Sequence, residues 1–343
     1  MIASRRSLPN WDVKKRYSEM ASTTAYKEAV EFIKKHDRVL ITAHINPDGD
    51  GIGSMLALGE AIAAMGKQVT LYTRDGVPDN LEFLPGAKKI SHELPSAADI
   101  DAAIMVDCGE PVRAGDDFAK WVEGKPIAVI DHHLYTELPG ATMCLDVTAA
   151  SAGEVAWHVI VALDVKRTAE MALNIYTTLV VDTGFFRYSN TTAKVLGLAA
   201  ELVEVGADPW CVARNLDESH PERRLRLLAK SLETLSVLEG GRYACMDVTQ
   251  AMLKETGATI ADSDEFAPYP RSIDTVEVSA LFREEKPGRT KVSLRSKEYV
   301  NVAELARRQG GGGHERAAGF GIDLSIGETK ELVAKEIREA LKT

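Results

Sequence analysis

Residues 41–54, ITAHINPDGDGIGS, place three side chains able to ligate a metal, His44, Asp48 and Asp50, within seven residues. They do so where one periodicity gives way to another. Upstream, residues 38–43 (RVLITA) are apolar and β-branched; downstream, residues 54–65 are rich in Ala and Leu at helical spacing. The order is strand, loop, helix. In an open α/β sheet, ligands bind at the loops that leave the carboxyl ends of strands, so His44 and both acids are expected at a crevice mouth. Two aspartates alternating around Gly49 can send carboxylates toward two different ions, and Gly49, Gly51 and Gly53 are expected to supply positive φ and close approach. Asn-Pro-Asp-Gly also makes ordinary turns. His44 is what such a turn leaves unexplained.

The same rhythm continues along the N-terminal half. Residues 24–35 carry Ala25, Ala29, Val30, Phe32 and Ile33 on one helical face, and residues 68–72, 102–106 and 126–130 are runs apolar enough for parallel strands buried on both sides. The run 102–106 leads directly into Asp107, and 126–130 directly into Asp131-His132-His133. Singly, these polar residues read as caps or satisfied polar groups; three strand ends followed at once by Asp or His form a constellation at one sheet edge. Residues 151–163 are helical, and the apolar stretch 170–181 ends at Asp182-Thr183-Gly184-Phe185-Phe186-Arg187-Tyr188. Asp182 is thus a fourth expected loop acid, and Arg187 a group suited to a phosphate. Helical patterns at 191–205 and 221–238 read as a connector.

A different organisation begins near Gly240. Residues 242–248, 275–284 and 290–297 are strand-like, the last two forming a hairpin across 285–289, and 301–308 is a short helix. GGGGHERAAG at 310–319 precedes a strand at 320–324 and a helix at 327–341. The glycines fit either a linker or a nest of backbone N–H groups that binds an anion, with His314 and Arg316 adding donors. Between Arg271 and Arg316, ten Lys and Arg stand against seven Asp and Glu, a local excess of positive charge in a chain of net charge −10. A chain of 343 residues exceeds the size at which one core keeps growing. The expected fold is therefore α/β: a leader over 1–22, a domain with a mostly parallel sheet flanked by helices over 23–190, a helical connector over 191–239, and a smaller α/β domain with a mixed sheet over 240–343.

Composition narrows the function. The acidic balance counts against tracking along long nucleic acid, while a local basic surface suits a short strand. Cys108, Cys144, Cys211 and Cys245 form no CxxC pair, which argues for packing roles in a reducing compartment and against a structural zinc site. No apolar run reaches the length of a membrane span and the N-terminal residues carry no hydrophobic signal region, so a cytoplasmic protein is expected.

The strand-end set, His44, Asp48, Asp50, Asp107, His132 or His133, and Asp182, is oxygen-rich with one or two imidazoles, which suits Mn²⁺ or Mg²⁺. Six ligands suffice for two ions if one carboxylate bridges. Paired ions about 3.5 to 4 Å apart hold a bridging hydroxide and clamp the attacking and leaving oxygens of a phosphoryl displacement. Phosphoester hydrolysis is the expected reaction.

HINPDGDGIGS, VDCGEPVR, IDHH, VDTGFFRYSNT and GGGGHERAAGF, in this order, resemble the motifs of the DHH phosphoesterases that carry a C-terminal DHHA1 domain, and most of all their oligoribonuclease and pAp-phosphatase branch. The resemblance covers about residues 24–340. It implies one metal held by His44, Asp48 and Asp107 and another by Asp50, Asp107, His132 and Asp182, with Asp107 as the bridge. It implies that His133 contacts the scissile phosphate, that Asp131 orients the neighbouring imidazoles, and that Arg295, Gly311, Gly312, Gly313 and His314 grip the substrate's other phosphate or base. The implied substrates are short RNA or DNA oligonucleotides, dinucleotides such as pGpG, linear or cyclic, and 3′-phosphoadenosine 5′-phosphate (pAp); a homodimer is implied by the resemblance alone. Cys108, beside Asp107, is an unusual neighbour whose thiol stands within reach of the metal, although no base is matched to it as a nucleophile. Competing readings are a RecJ-like single-strand exonuclease, where an acid is expected in place of His44; a family II pyrophosphatase, which lacks the GGGH motif; and a non-catalytic nucleotide sensor.

Overall fold

The computed structural model describes residues 24–134 and 136–342, so the leader expected over 1–22 lies outside the described residues. The chain divides after Ser219 into two compact units. The stretch 191–239, expected as a connector, is shared between them.

The first unit runs α1 (Thr24–Lys35), β1 (Arg38–Thr42), α2 (Gly49–Ala64), β2 (Gln68–Tyr72), β3 (Ile90–Ser91), β4 (Ala102–Val106), α3 (Asp116–Trp121), β5 (Ile127–Asp131), β6 (Thr142–Leu145), α4 (Ala152–Ala162), α5 (Ala169–Asp182), α6 (Ala193–Val205) and α7 (Pro209–Asp217). Its six strands are ordered β3-β2-β1-β4-β5-β6, and every neighbouring pair is parallel. The strands alternate between two cores. Val39, Ile41, Ile104, Val106, Ala128 and Ile130 pack with residues of α1, α2, α4 and α5, while Leu40, Ala103, Met105 and Val129 pack with Phe118 and Val122 on the other face. Both faces are covered, as the continuous apolar runs imply. Each fully buried Val, Leu or Ile contributes about 1.5 to 3 kcal/mol.

This strand order sets the position of the site. From β1 the chain moves outward through β2 to β3, then returns to lay β4 on the other side of β1 and moves outward again through β5 and β6. Connections leave β1 and β4 in opposite directions, which opens a crevice at their carboxyl ends. The register keeps those ends level, with Thr42 beside Met105 and Val106 beside Ile130.

The second unit contains α8 (Glu222–Glu233), β7 (Ser236–Leu238), β8 (Tyr243–Val248), α9 (Gln250–Thr256), α10 (Pro268–Arg271), β9 (Val278–Lys286), β10 (Arg289–Ser296), α11 (Val302–Arg308), β11 (Gly312–His314), β12 (Ala317–Ile322) and α12 (Ile326–Ala340). Its sheet is mixed: order β11-β12-β10-β9-β8-β7, antiparallel throughout except for β8 with β9. One face packs on α11 and α12; the other packs in part on Leu227, Leu253 and Phe266. Short β3, β6, β7 and β11 and helices α3, α7, α9 and α10 are absent from the sequence-based reading.

Candidate metal centre

His44 leaves the end of β1, and its Nδ1–H donates to the Ile45 carbonyl at 2.7 Å, which turns Nε2 toward Asp107 Oδ2, 3.3 Å away. Asp48 is the N-cap of α2. Its Oδ1 accepts from the amides of Asp50 and Gly51 at 2.9 and 3.2 Å, so the helix starts here and not near Ser54. Asp50 therefore sits in the first helical turn, not in a loop. Gly49, Gly51 and Gly53 are helical; Asn46 (φ 50°) is the residue of this stretch in the left-handed region. Their smallness is what counts, since a Cβ at Gly53 would lie 2.5 Å from the Asn174 carbonyl oxygen of α5.

Asp50 is fully buried, and Oδ2 and Oδ1 accept from the amides of Ala152 and Gly153 at 2.7 and 2.9 Å. Those amides open α4, so the carboxylate stands where a helix N-terminus favours negative charge. Asp107 follows β4 with φ 51°, a conformation Asp tolerates better than most residues. Its Oδ2 faces His44, while Oδ1 lies 3.3 Å from His133 Nδ1 and 3.8 Å from His132 Nε2. The Asp107 carboxylate thus stands between two groups. His132 Nδ1–H donates to the Ala149 carbonyl at 3.3 Å, aiming Nε2 at Asp182 Oδ2 (3.3 Å) and Asp50 Oδ2 (3.7 Å).

Asp182 closes α5 and is not a loop residue following a strand, correcting the sequence-based placement. It still joins the cluster. One ligand atom from each of His44, Asp48 and Asp107 lies within 4.8 Å of the others, and the same holds for Asp50, His132 and Asp182, and for Asp107, Asp131, His132 and His133. In the last group, Asp131 is occupied otherwise: Oδ1 accepts from the amides of His132 and His133 and from His133 Nδ1 at 2.8 Å, and Oδ2 from Thr136 Oγ1. It orients the His133 ring, whereas the His132 ring is oriented by Ala149 and not by Asp131.

The charges are those of a group able to hold a cation. Burial and the neighbouring charges of Asp50 and Asp48 push Asp107 up to about 7, despite the hydrogen bond from His44. Burial raises Asp50 as well, and burial with the Asp50, Asp48 and Asp107 charges raises Asp182 well above the carboxylate range. Burial opposes protonation of His44, but the Asp107 hydrogen bond and charge outweigh it and lift His44 to about 9. Asp131 moves the other way: burial is outweighed by the His133 ring and two amides, and its pKa is lowered. The donor set fits divalent cations. Asp107 Oδ1 is buried without a hydrogen bond, and in their neutral tautomers His44 and His132 would point a lone pair at carboxylate oxygens, a geometry that a cation resolves.

Other sequence candidates are not members of these ligand groups. Cys108 is buried with the apolar face of the sheet around Phe118, its thiol donates to the Glu110 carbonyl, and burial pushes its pKa up to about 12, so it is not the metal-facing thiol the sequence suggests. Arg187 is exposed, donates Nε–H to the Gly184 carbonyl at 2.6 Å and stands over the Phe185 ring. In the second unit the run 310–313 is no nest: Gly312–His314 forms edge strand β11, paired with β12. Gly311 faces the backbone of Gly319, and Gly313 (φ 135°) packs against Ala318. Arg295, Ala317 and His314 are direct ladder partners across β10, β12 and β11 and so share one face, about 10 Å from end to end. The residues that sequence reasoning missed are Ala149, Ala152, Gly153 and Asn190, which hold the ligands through backbone or amide contacts. Their one sequence signal is Ser151-Ala152-Gly153-Glu154, an S-x-x-E helix start.

A crevice at the switch point of a parallel sheet, ringed by carboxylates and imidazoles, and a separate mixed-sheet unit define the class: the chain belongs to the DHH family and carries a DHHA1 domain. The DHH family, N-terminal domain, matches residues 38–182, and the DHHA1 domain matches residues 242–343. A probable bifunctional oligoribonuclease and PAP phosphatase NrnA from Streptococcus mutans is 30% identical over 319 residues, covering 93% of this chain and 100% of the relative. The bifunctional oligoribonuclease and PAP phosphatase NrnA of Thermus thermophilus is 34% identical over 307 residues, covering 88% and 90%. Among solved structures, an exopolyphosphatase-related protein from Bacteroides fragilis is similar with a TM-score of 0.85 at 26% identity, covering 93% of this chain and 98% of that one. Among the described residues no helix is long and apolar enough to cross a membrane.

Proposed function

We propose that this protein is a metal-dependent phosphoesterase that hydrolyses short oligoribonucleotides, dinucleotides such as pGpG among them, to mononucleotides, and pAp to AMP. The observation that carries the reading is Asp107, whose two carboxylate oxygens face two separate ligand groups. Relatives that match over nearly their whole length bear the names of both activities. His44, Asp48 and Asp107 would hold one divalent cation, and Asp50, Asp107, His132 and Asp182 the other. Bound there, Mn²⁺ or Mg²⁺ would lower the pKa of a water and offset the charge that develops on the phosphate oxygens.

The protein's own groups do the rest. His133, whose Nδ1–H is held by Asp131 at 2.8 Å, would as the imidazolium offer Nε2–H to an oxygen of the scissile phosphate. Asp131 fixes the orientation of that ring. Arg187, and in the DHHA1 unit Arg295, His314 and the edge strand at Gly312 and Gly313, are the groups that would take the substrate's other phosphate or base; the Gly311 amide is already held by the Ala306 carbonyl at 2.9 Å. An acidic chain with a few placed cationic groups favours short substrates over long polymers.

The test is release of mononucleotide from a labelled five-nucleotide RNA and of phosphate from pAp with Mn²⁺, for the parent, His132→Ala and Arg295→Ala. His132→Ala is expected to abolish both activities, and Arg295→Ala mainly to raise KM. A parent protein that cuts neither substrate would overturn the substrate assignment.

A further inference from the structure

The ligands on the Asp50 side of the centre share one support. Segment 149–153 offers the Ala149 carbonyl to His132 Nδ1–H at 3.3 Å and the Ala152 and Gly153 amides to Asp50 at 2.7 and 2.9 Å. Its Ala150 carbonyl accepts from Asn190 Nδ2, which also donates to the Asp182 carbonyl at 3.1 Å. Three candidate ligands thus take their positions from five consecutive residues. His44 and Asp48 do not: the first is turned by Ile45 and the second by the amides of α2.

What fixes the segment is a buried acid. Ser151 caps α4, accepting from the Glu154 amide at 3.1 Å, and Glu154 Oε2 reaches back to accept from the Ala150 amide at 2.8 Å. Glu154 is 1% exposed, and its other oxygen lies 2.8 Å from Lys194 Nζ, which approaches from α6. Lys194 also stands 3.6 Å from Asp146, which takes the Tyr26 hydroxyl at 3.4 Å and donates its own amide to the Asp131 carbonyl at 3.2 Å. A carboxylate this deep is held in place only while its cation is present. Neither Glu154 nor Lys194 belongs to a ligand group of the centre.

We propose that Lys194 and Glu154 are a positioning pair for the cation held by Asp50, His132 and Asp182. The pair clamps segment 149–153 from outside the centre, and through it sets the affinity of one of the two cation positions without touching either cation. This rests on the two-cation reading above. Loss of a group that orients metal ligands lowers affinity by about 10- to 100-fold, and here that loss falls on one binding step of two.

The experiment is Mn²⁺ binding to the full chain, followed by calorimetry and by the paramagnetic resonance signal of free Mn²⁺, with folding checked by circular dichroism and thermal melting. Lys194→Met is expected to weaken one of two steps by about tenfold or more while the other stays within about twofold. Glu154→Gln keeps an acceptor for the Ala150 amide and loses the ion pair, so it should weaken the same step by less, and Lys194→Arg should restore near-parental binding. Equal weakening of both steps, a lower melting temperature with binding unmoved, or failure of Lys194→Arg to restore the step overturns the inference. A parent that takes up no more than one Mn²⁺ overturns the two-cation reading and this inference together. A parent that binds two, with both steps unmoved in Lys194→Met, overturns this inference alone.

Discussion

Asp107→Asn is expected to make the metal-free protein more stable while removing its response to metal. The position has φ 51°, and Asn is the closest match in shape that tolerates the left-handed region, so the backbone is not disturbed. In the chelated protein the Asp107 pKa rises from the ordinary 3.8 to about 7 because the carboxylate is buried beside Asp50 and Asp48. The folded state therefore holds a proton that the unfolded chain has released, and stability falls as pH rises from about 4 to about 7. Fully ionised, this costs about 4 kcal/mol. That cost is already net of the hydrogen bond from His44, and Asn escapes it. The gain at pH 8 is about 4 kcal/mol, or about 8 to 16 °C in Tm for a unit of this size. At pH 5 the ionisation cost has fallen to less than about 2 kcal/mol, so more than half of the gain should be lost. Melting curves of parent and variant in EDTA at pH 8 and pH 5, and again with Mn²⁺, measure all of this. With Mn²⁺ at pH 8 the parent should rise above its chelated Tm and the variant should barely move. A variant less stable than the parent in EDTA at pH 8, or one whose advantage is equal at both pH values, would refute the argument that the centre is a cluster of mutually repelling carboxylates.

Other perturbations test other parts of the fold. Gly153→Ala would bring a Cβ to 2.6 Å from the Thr178 Cβ and disturb its contact with Ser151, costing about 2 to 3 kcal/mol by chemical denaturation, with partial recovery in the Gly153→Ala/Thr178→Ala double variant. His158 is held neutral by burial and by Lys194, with its pKa lowered to about 4. Its contribution is present above about pH 6.5 and is lost as pH falls toward 4, so His158→Phe should flatten the stability profile in that window by about 1.4 kcal/mol per pH unit. Cys108, with a thiol pushed up to about 12 by burial, should resist iodoacetamide at pH 8 in the native protein and react only in denaturant, as peptide mass mapping would show. Rapid native labelling that abolished activity would restore the thiol as a member of the site.

How far the sequence could be read follows from where the chemistry resides. Strands β1, β4 and β5 are legible because residues buried on both faces must be apolar without interruption, and the polar residue that ends each run is conspicuous. His44, Asp107 and His132 are legible for the same reason. The start of α2 is not, because Gly49, Gly51 and Gly53 are poor helix formers; the helix exists there through the Asp48 cap and because α5 passes too close for a side chain. Asp182 looks like a loop acid because the glycine that ends α5 also begins a turn. The glycine run near 312 looks like a nest because its pairing with β12 depends on a partner strand that composition does not name. Deepest in shadow is segment 149–153, whose function is carried by N–H and C=O groups that any residue would supply. Side-chain identity announces which residues gather at the candidate centre. The placing of those residues falls to backbone groups, and the sequence shows that only indirectly, in Glu154 and Lys194, an acid and a base that lack an apparent task until the fold buries the first and brings the second against it.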